Sequence, residues 1–173
     1  MGPIFLCSTL RAELPDVRAE VATFLRAGGL VLIRSEDPDF HRGSGEHKHD
    51  VCLRRVDEIP GFLLIIDKWA GRDYGGEREE YAQYLGLTIT HAETKRAWLK
   101  DRGWYCFARH EVLVTYNLWK KNGCRSDFES DVEPKVFQLL DDVYQSKKWD
   151  PIAFDDLSDL KPKLEKMFLL STI

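Results

Sequence analysis

Phe62-Leu63-Leu64-Ile65-Ile66 is the longest uninterrupted run of purely hydrocarbon side chains in the sequence, and the fold is decided by how it is read. Five residues suit a strand and fall far short of the roughly 20 needed to span a bilayer. Both parities are apolar, so both faces of that strand must be buried. This is the mark of a parallel sheet covered by helices on its two sides. Working outward from it, Pro3 to Cys7 and Leu30 to Ile33 read as two earlier buried strands, Trp104 to Phe107 as a fourth, and Ile152 to Phe154 as a short fifth suited to an edge. Between them lie stretches with helical spacing. Leu14, Val17, Val21, Phe24 and Leu25 share one face before Gly28-Gly29. Cys52, Val56 and Ile59 form a short helix ended by Pro60-Gly61, and Ile89, Ala92, Ala97 and Trp98 form another. Val112, Leu113, Tyr116 and Trp119 precede a stop at Asn122-Gly123, and a helix opening on Pro134 carries Phe137 and Leu140. Asp155 or Asp156 caps a last helix with Leu157, Leu160 and Leu164 inward, and Pro162 argues that its regular part starts near Asp159 to Lys161.

Strands alternating with helices give right-handed crossovers and a three-layer α/β/α sandwich. We therefore expect a flavodoxin-like α/β domain over residues 1–173, with a five-stranded parallel sheet in the order 2-1-3-4-5. In such sheets ligands bind beyond the carboxyl ends of the strands, where strand order reverses. Ser8 to Arg11, Arg34 to His49, Asp67 to Gly86 and Thr88 to Glu93 are the segments to inspect.

Composition narrows the classes. The 173 residues are 43% hydrophobic and 31% charged with a net charge of −4, so a coat for nucleic acid is disfavoured for want of basic excess. No apolar stretch suits a membrane span or a secretory leader. The four cysteines are far apart in sequence and read as reduced thiols in a cytoplasmic protein. Neither GxGxxG, GxxxxGK[ST] nor GxSxG occurs.

Four constellations can carry chemistry. Ser8-Thr9-Leu10-Arg11 offers hydroxyls, backbone N–H groups and a guanidinium to an anion, or simply caps the first helix. In Asp67 to Gly75, Trp69 and Tyr74 can stack on a ring and Arg72 can meet a phosphate; the plain alternative is a surface loop. Thr90 and Glu93 have the spacing of a capping box, in which Glu93 folds back on the backbone; alternatively Glu93 faces the crevice, where a carboxylate serves a ribose. His41, His47, His49, Asp50 and Cys52 cluster, but no second ligand pair follows at a recognised spacing, so no metal site is assigned. His91 and His110, at helix starts, read as exposed polar residues.

The order and spacing of three of these segments resemble a known group. Ser8-Thr9-Leu10-Arg11, Ala70-Gly71-Arg72-Asp73-Tyr74-Gly75 and Thr88-Ile89-Thr90-His91-Ala92-Glu93 resemble the marks of the TIR-like domain of unknown function found at the N-termini of STAND- and NLR-type signalling NTPases. Arg18 and Val21 match its first helix, and Trp149 to Phe168 its closing strand and helix. Asp73, His91 and Thr94 depart from its usual residues. More distantly the chain is similar to TIR domains and nucleoside deoxyribosyltransferases.

The resemblance implies a signalling or defence domain that handles a nucleotide small molecule and needs no cofactor. It also implies cleavage of the N-glycosidic bond of NAD or a related nucleotide, with Glu93 catalytic. Ser8, Thr9, Arg11, Asp67, Trp69, Arg72, Tyr74 and Thr90 would bind the substrate. Other TIR-like domains or a fused signalling NTPase would be partners; nucleic acid and membrane would not. The competing expectation is a module that assembles or senses a nucleotide and catalyses nothing.

Overall fold

A computed structural model describes residues 2–9, 17–38, 40, 45–147 and 150–169. Expectations placed on Leu10, Arg11, Leu14, His41 and Trp149 lie outside the described residues.

The elements run β1 (Ile4–Ser8), α1 (Val17–Ala27), β2 (Leu32–Ile33), α2 (Lys48–Glu58), β3 (Gly61–Ile66), a 3-10 segment (Glu79–Tyr84), α3 (Ile89–Leu99), β4 (Gly103–Arg109), α4 (His110–Lys121), α5 (Pro134–Gln145), β5 (Ile152–Phe154) and α6 (Leu157–Leu164), which continues into a π-helical turn (Glu165–Leu169). All five strands are parallel and lie in the order β2-β1-β3-β4-β5, the flavodoxin-like arrangement. β3 is the middle strand, and β2 and β5 are the short edges.

The two-sided burial read from Phe62 to Ile66 is realised by alternation. Phe5, Cys7, Phe62, Leu64, Ile66, Cys106 and Ala108 point to one layer, where they meet Val51, Val56, Ala97, Val112, Val136 and Leu140 from α2 to α5. Ile4, Leu6, Leu63, Ile65 and Phe107 point to the other, against Val21 and Leu25 of α1 and Leu160 and Leu164 of α6. Each strand thus contributes side chains to both cores with its period of two.

Two expectations need correction. Asp156 is the cap of α6, accepting from the N–H groups of Ser158 and Asp159, so the helix is regular from Leu157 and does not wait for Asp159 to Lys161. Pro162 sits inside it, tolerated where packing of Leu160, Leu164 and Phe168 holds the segment to the sheet. His91 is buried, not exposed: its Nε2 lies 2.7 Å from Asp142 Oδ2, and Lys95 Nζ is 2.8 Å from the same oxygen. That group ties α3 to α5. His110 is exposed, as its position suggests.

Ile65 is fully buried at the middle of the sheet. Ile65→Ala should therefore lower unfolding stability by about 2–5 kcal/mol, the usual cost of an incompletely collapsed cavity, measurable by chemical denaturation with an unchanged slope.

Candidate functional site

The chain reverses direction across the sheet at β1, which has β2 on one side and β3 on the other. At the carboxyl ends of β1 and β3 there is a cleft of about 680 Å³. Thr9 locks that edge in place. Its Oγ1 accepts from the Asp67 N–H at 2.5 Å and donates to the Asp67 carbonyl at 3.2 Å, continuing the β1–β3 pairing one residue past each strand.

The long segment after β3 folds back as one wall. Gly71 turns with φ +85°, the left-handed region that a residue bearing Cβ rarely adopts. Arg72 then accepts from the Ile89 N–H through its carbonyl at 2.8 Å, and the Tyr74 N–H donates to the Leu87 carbonyl at 2.8 Å. Asp73 and Thr88 form an antiparallel bridge. This clamp sets the start of α3. Its cap is Thr88, whose hydroxyl accepts from the His91 N–H at 3.3 Å.

The capping-box reading of Thr90 and Glu93 is thereby overturned, because both residues are already inside the helix. Thr90 Oγ1 donates to the Ser8 carbonyl at 3.1 Å and pins the first turn of α3 to the end of β1. Glu93 lies one turn further on and reaches the floor of the cleft. Its Oε2 accepts from the Cys7 thiol at 2.8 Å. Burial pushes the Glu93 carboxyl above its usual range, against the pull of the Cys7 thiol, the Arg18 charge and the Cys52 thiol. The same burial, with the carboxylate beside it, pushes the Cys7 thiol well up, so Cys7 is a donor and not a thiolate.

Arg18 also lines the cleft. Its Nη2 donates to the Leu6 carbonyl at 3.0 Å, and its Nε lies 2.9 Å from Glu36 Oε1. Ser8 Oγ accepts from Arg18 Nη1 at 3.4 Å.

Of the residues singled out in sequence, Ser8, Thr9, Trp69, Arg72, Thr90 and Glu93 line the cleft together. Arg11 lies outside the described residues. Asp67 and Tyr74 do not line it. Asp67 is buried, with Oδ2 3.0 Å from Arg109 Nε and Oδ1 accepting from the Lys68 N–H at 2.8 Å, so it serves the sheet edge. Tyr74 is buried behind the wall, where its hydroxyl donates to Asp50 Oδ1 at 2.5 Å. It has no free face on which a ring can stack. Asp50 Oδ2 also accepts from the Glu77 and Arg78 N–H groups at 2.8 and 3.3 Å. Gly76 packs so closely on this pair that a Cβ there would overlap both the Tyr74 hydroxyl and Asp50 Oδ1.

Several lining residues carry no substrate-binding expectation from the sequence. Ser35, Glu36 and Phe40 follow β2, Lys48, His49 and Cys52 lie on α2, and Glu133 precedes α5. The cluster around His49 drew attention as potential metal ligands. Among the described residues no group of three His, Cys, Asp or Glu side chains converges to hold a metal. His49 Nδ1 instead accepts from the Gly75 N–H at 2.9 Å. Cys7 gave no functional signal because a cysteine in an apolar strand reads as core.

A family model described as a domain of unknown function, DUF4062, matches residues 3–168. No curated protein matches the chain.

Glu93→Gln removes a buried charge while keeping an acceptor for Cys7. The carboxyl is raised in the fold above its unfolded value near 4.5. Wild-type stability is therefore fullest below that value and falls as pH rises through the folded pKa. Glu93→Gln lacks this loss, so its stability relative to wild type should rise with pH across the same window and at pH 8 at least match wild type. Denaturant unfolding of both proteins from pH 4 to 8 measures this.

Proposed function

The chain belongs to the DUF4062 family, and we propose that it is a TIR-like nucleotide-handling domain that cleaves NAD or a related nucleotide at the N-glycosidic bond. One observation carries the reading: the buried Glu93 carboxyl is held at the floor of the cleft by thiols and not by its own helix terminus. A carboxylate with so little water around it is under-solvated. It interacts strongly with positive charge that develops beside it.

Cleavage of an N-ribosyl pyridinium makes that demand. The C1′–N bond breaks, and its electron pair leaves with the base, which becomes neutral. C1′ passes through an oxocarbenium-like state that the Glu93 carboxylate stabilises, and water adds at C1′ and releases its proton to solvent. A leaving base that is already cationic needs no proton, so a single carboxylate held only by weak thiol donors suffices. The other two acids of the cleft are occupied. Glu36 is paired with Arg18 and Arg34 at 2.9 and 3.6 Å, and Glu133 Oε2 accepts from the Ala70 N–H at 2.7 Å. Trp69 and Phe40 supply aromatic surface for a base, and Ser8 stands at the strand end where a ribose would lie.

On this reading the domain acts in a signalling system, with other TIR-like domains or a fused signalling NTPase as its partners. Among the described residues no helix is long and apolar enough to cross a membrane. The rival reading, an assembly module without turnover, draws on Val114 and Leu118, which lie one turn apart on α4 and are exposed.

Incubation with NAD and a panel of nucleosides, followed by chromatography, tests the proposal. Wild type should release free base, and Glu93→Gln should do so about 10²-fold more slowly, as for loss of one main electrostatic group. The rate should fall as pH drops through the raised Glu93 pKa, because only the ionised form serves. Equal rates for the two proteins would remove Glu93 from catalysis. Absence of turnover by wild type, assembled with its partners, would leave the assembly reading.

A further inference from the structure

Three residues that share the cleft with Glu93 have the opposite chemistry. Lys48 and His49 are the first two residues of α2, and Arg72 projects from the clamped segment after β3; all three line the cleft. Among the described residues neither Lys48 nor Arg72 has a carboxylate partner, whereas Arg18, Arg34, Arg54 and Arg78 each have at least one. His49 is only 8% exposed. Its Nδ1 is occupied as an acceptor by the Gly75 N–H, which places the ring proton on Nε2 and leaves Nε2–H as a donor without a partner among the described residues.

Protonating Nδ1 would set two N–H groups against each other, so the ring is held neutral. Burial lowers its pKa to about 4, helped by the nearby His47, Lys48 and Arg72 charges and opposed by Asp50. Tyr74 stacks on the ring from behind, with centroids 5.8 Å apart.

We propose that Lys48, His49 and Arg72 form an oxyanion subsite that binds a phosphoryl group of the ligand, so that the cleft selects phosphorylated nucleotides over free nucleosides. Two cations without a carboxylate partner among the described residues supply charge, and the neutral imidazole supplies a fixed donor. A free nucleoside leaves this donor and both exposed cations to water. The subsite deepens the nucleotide reading and rests on it for the remainder of the ligand. It is tested by binding, apart from turnover.

Calorimetry on the intact chain at pH 7.5 with NAD, nicotinamide riboside and inorganic pyrophosphate gives the decision. NAD should bind at least about tenfold more tightly than the riboside, the scale of one charged hydrogen bond. Arg72→Gln and Lys48→Gln, both at exposed positions, should each weaken NAD and pyrophosphate by about tenfold or more and leave the riboside unchanged. His49→Gln, which keeps an N–H near the Nε2 position, should retain more NAD affinity than His49→Phe. Lys121→Gln, on the last turn of α4, should change nothing. Equal affinity for NAD and the riboside, or an equal loss in Lys121→Gln, would overturn the subsite. Phosphate preference without turnover would keep the subsite and reject the hydrolase reading. Turnover without phosphate preference would do the reverse.

Discussion

Parallel pairing of β1 with β3, in the register Ile4↔Gly61 to Ser8↔Ile65, is the constraint on which the rest depends. It brings together two chain segments more than fifty residues apart and aligns their carboxyl ends. The Thr9–Asp67 hydrogen bonds then fix how the two following segments diverge. That divergence opens the cleft. Because both strands are buried on both faces, a shift of register by one residue would exchange the two cores, so the position of the cleft is specified by packing far from it.

The cleft gathers its polar groups from separate elements. Cys7 rises from the sheet, Glu93 and Thr90 from α3, Lys48, His49 and Cys52 from α2, and Trp69 and Arg72 from the segment after β3. The pair at the floor is unusual in its chemistry. A thiol is a weak donor compared with a backbone N–H or a guanidinium, so Cys7 occupies Glu93 without quenching its charge. The fold bears the burial cost of this carboxyl through the β1–β3 core.

Much of the architecture was legible in sequence because its signals are local or periodic. The doubly apolar run at Phe62 to Ile66, the glycines after α1 and the proline opening α5 each correspond to an element within a residue or two. The site was legible only in part. Glu93 was found through motif order, but its partner Cys7 is 86 positions away and carries no pattern that separates it from core. Thr90 looked like the cap because Ser, Thr and acidic residues recur at that spacing. The pairing of Arg72 to Tyr74 with Leu87 to Ile89 moved the helix start to Thr88. Tyr74 was read as a stacking residue because sequence does not show which side of a loop faces inward. Its bond to Asp50 is a tertiary fact. His91 misled for the same reason, as Asp142 is reached only through the packing of α3 on α5.

The brevity of the outer strands bears on how such a domain can associate. β2 pairs through two residues and β5 through three. A neighbouring chain that tried to extend the sheet would find too little ladder at either end to form a stable added strand, so polymerisation by continuous sheet is disfavoured. Higher-order complexes built from this domain would have to grow through helical surfaces. Their geometry would then be set by side-chain packing, with the freedom of crossing angle that helices allow.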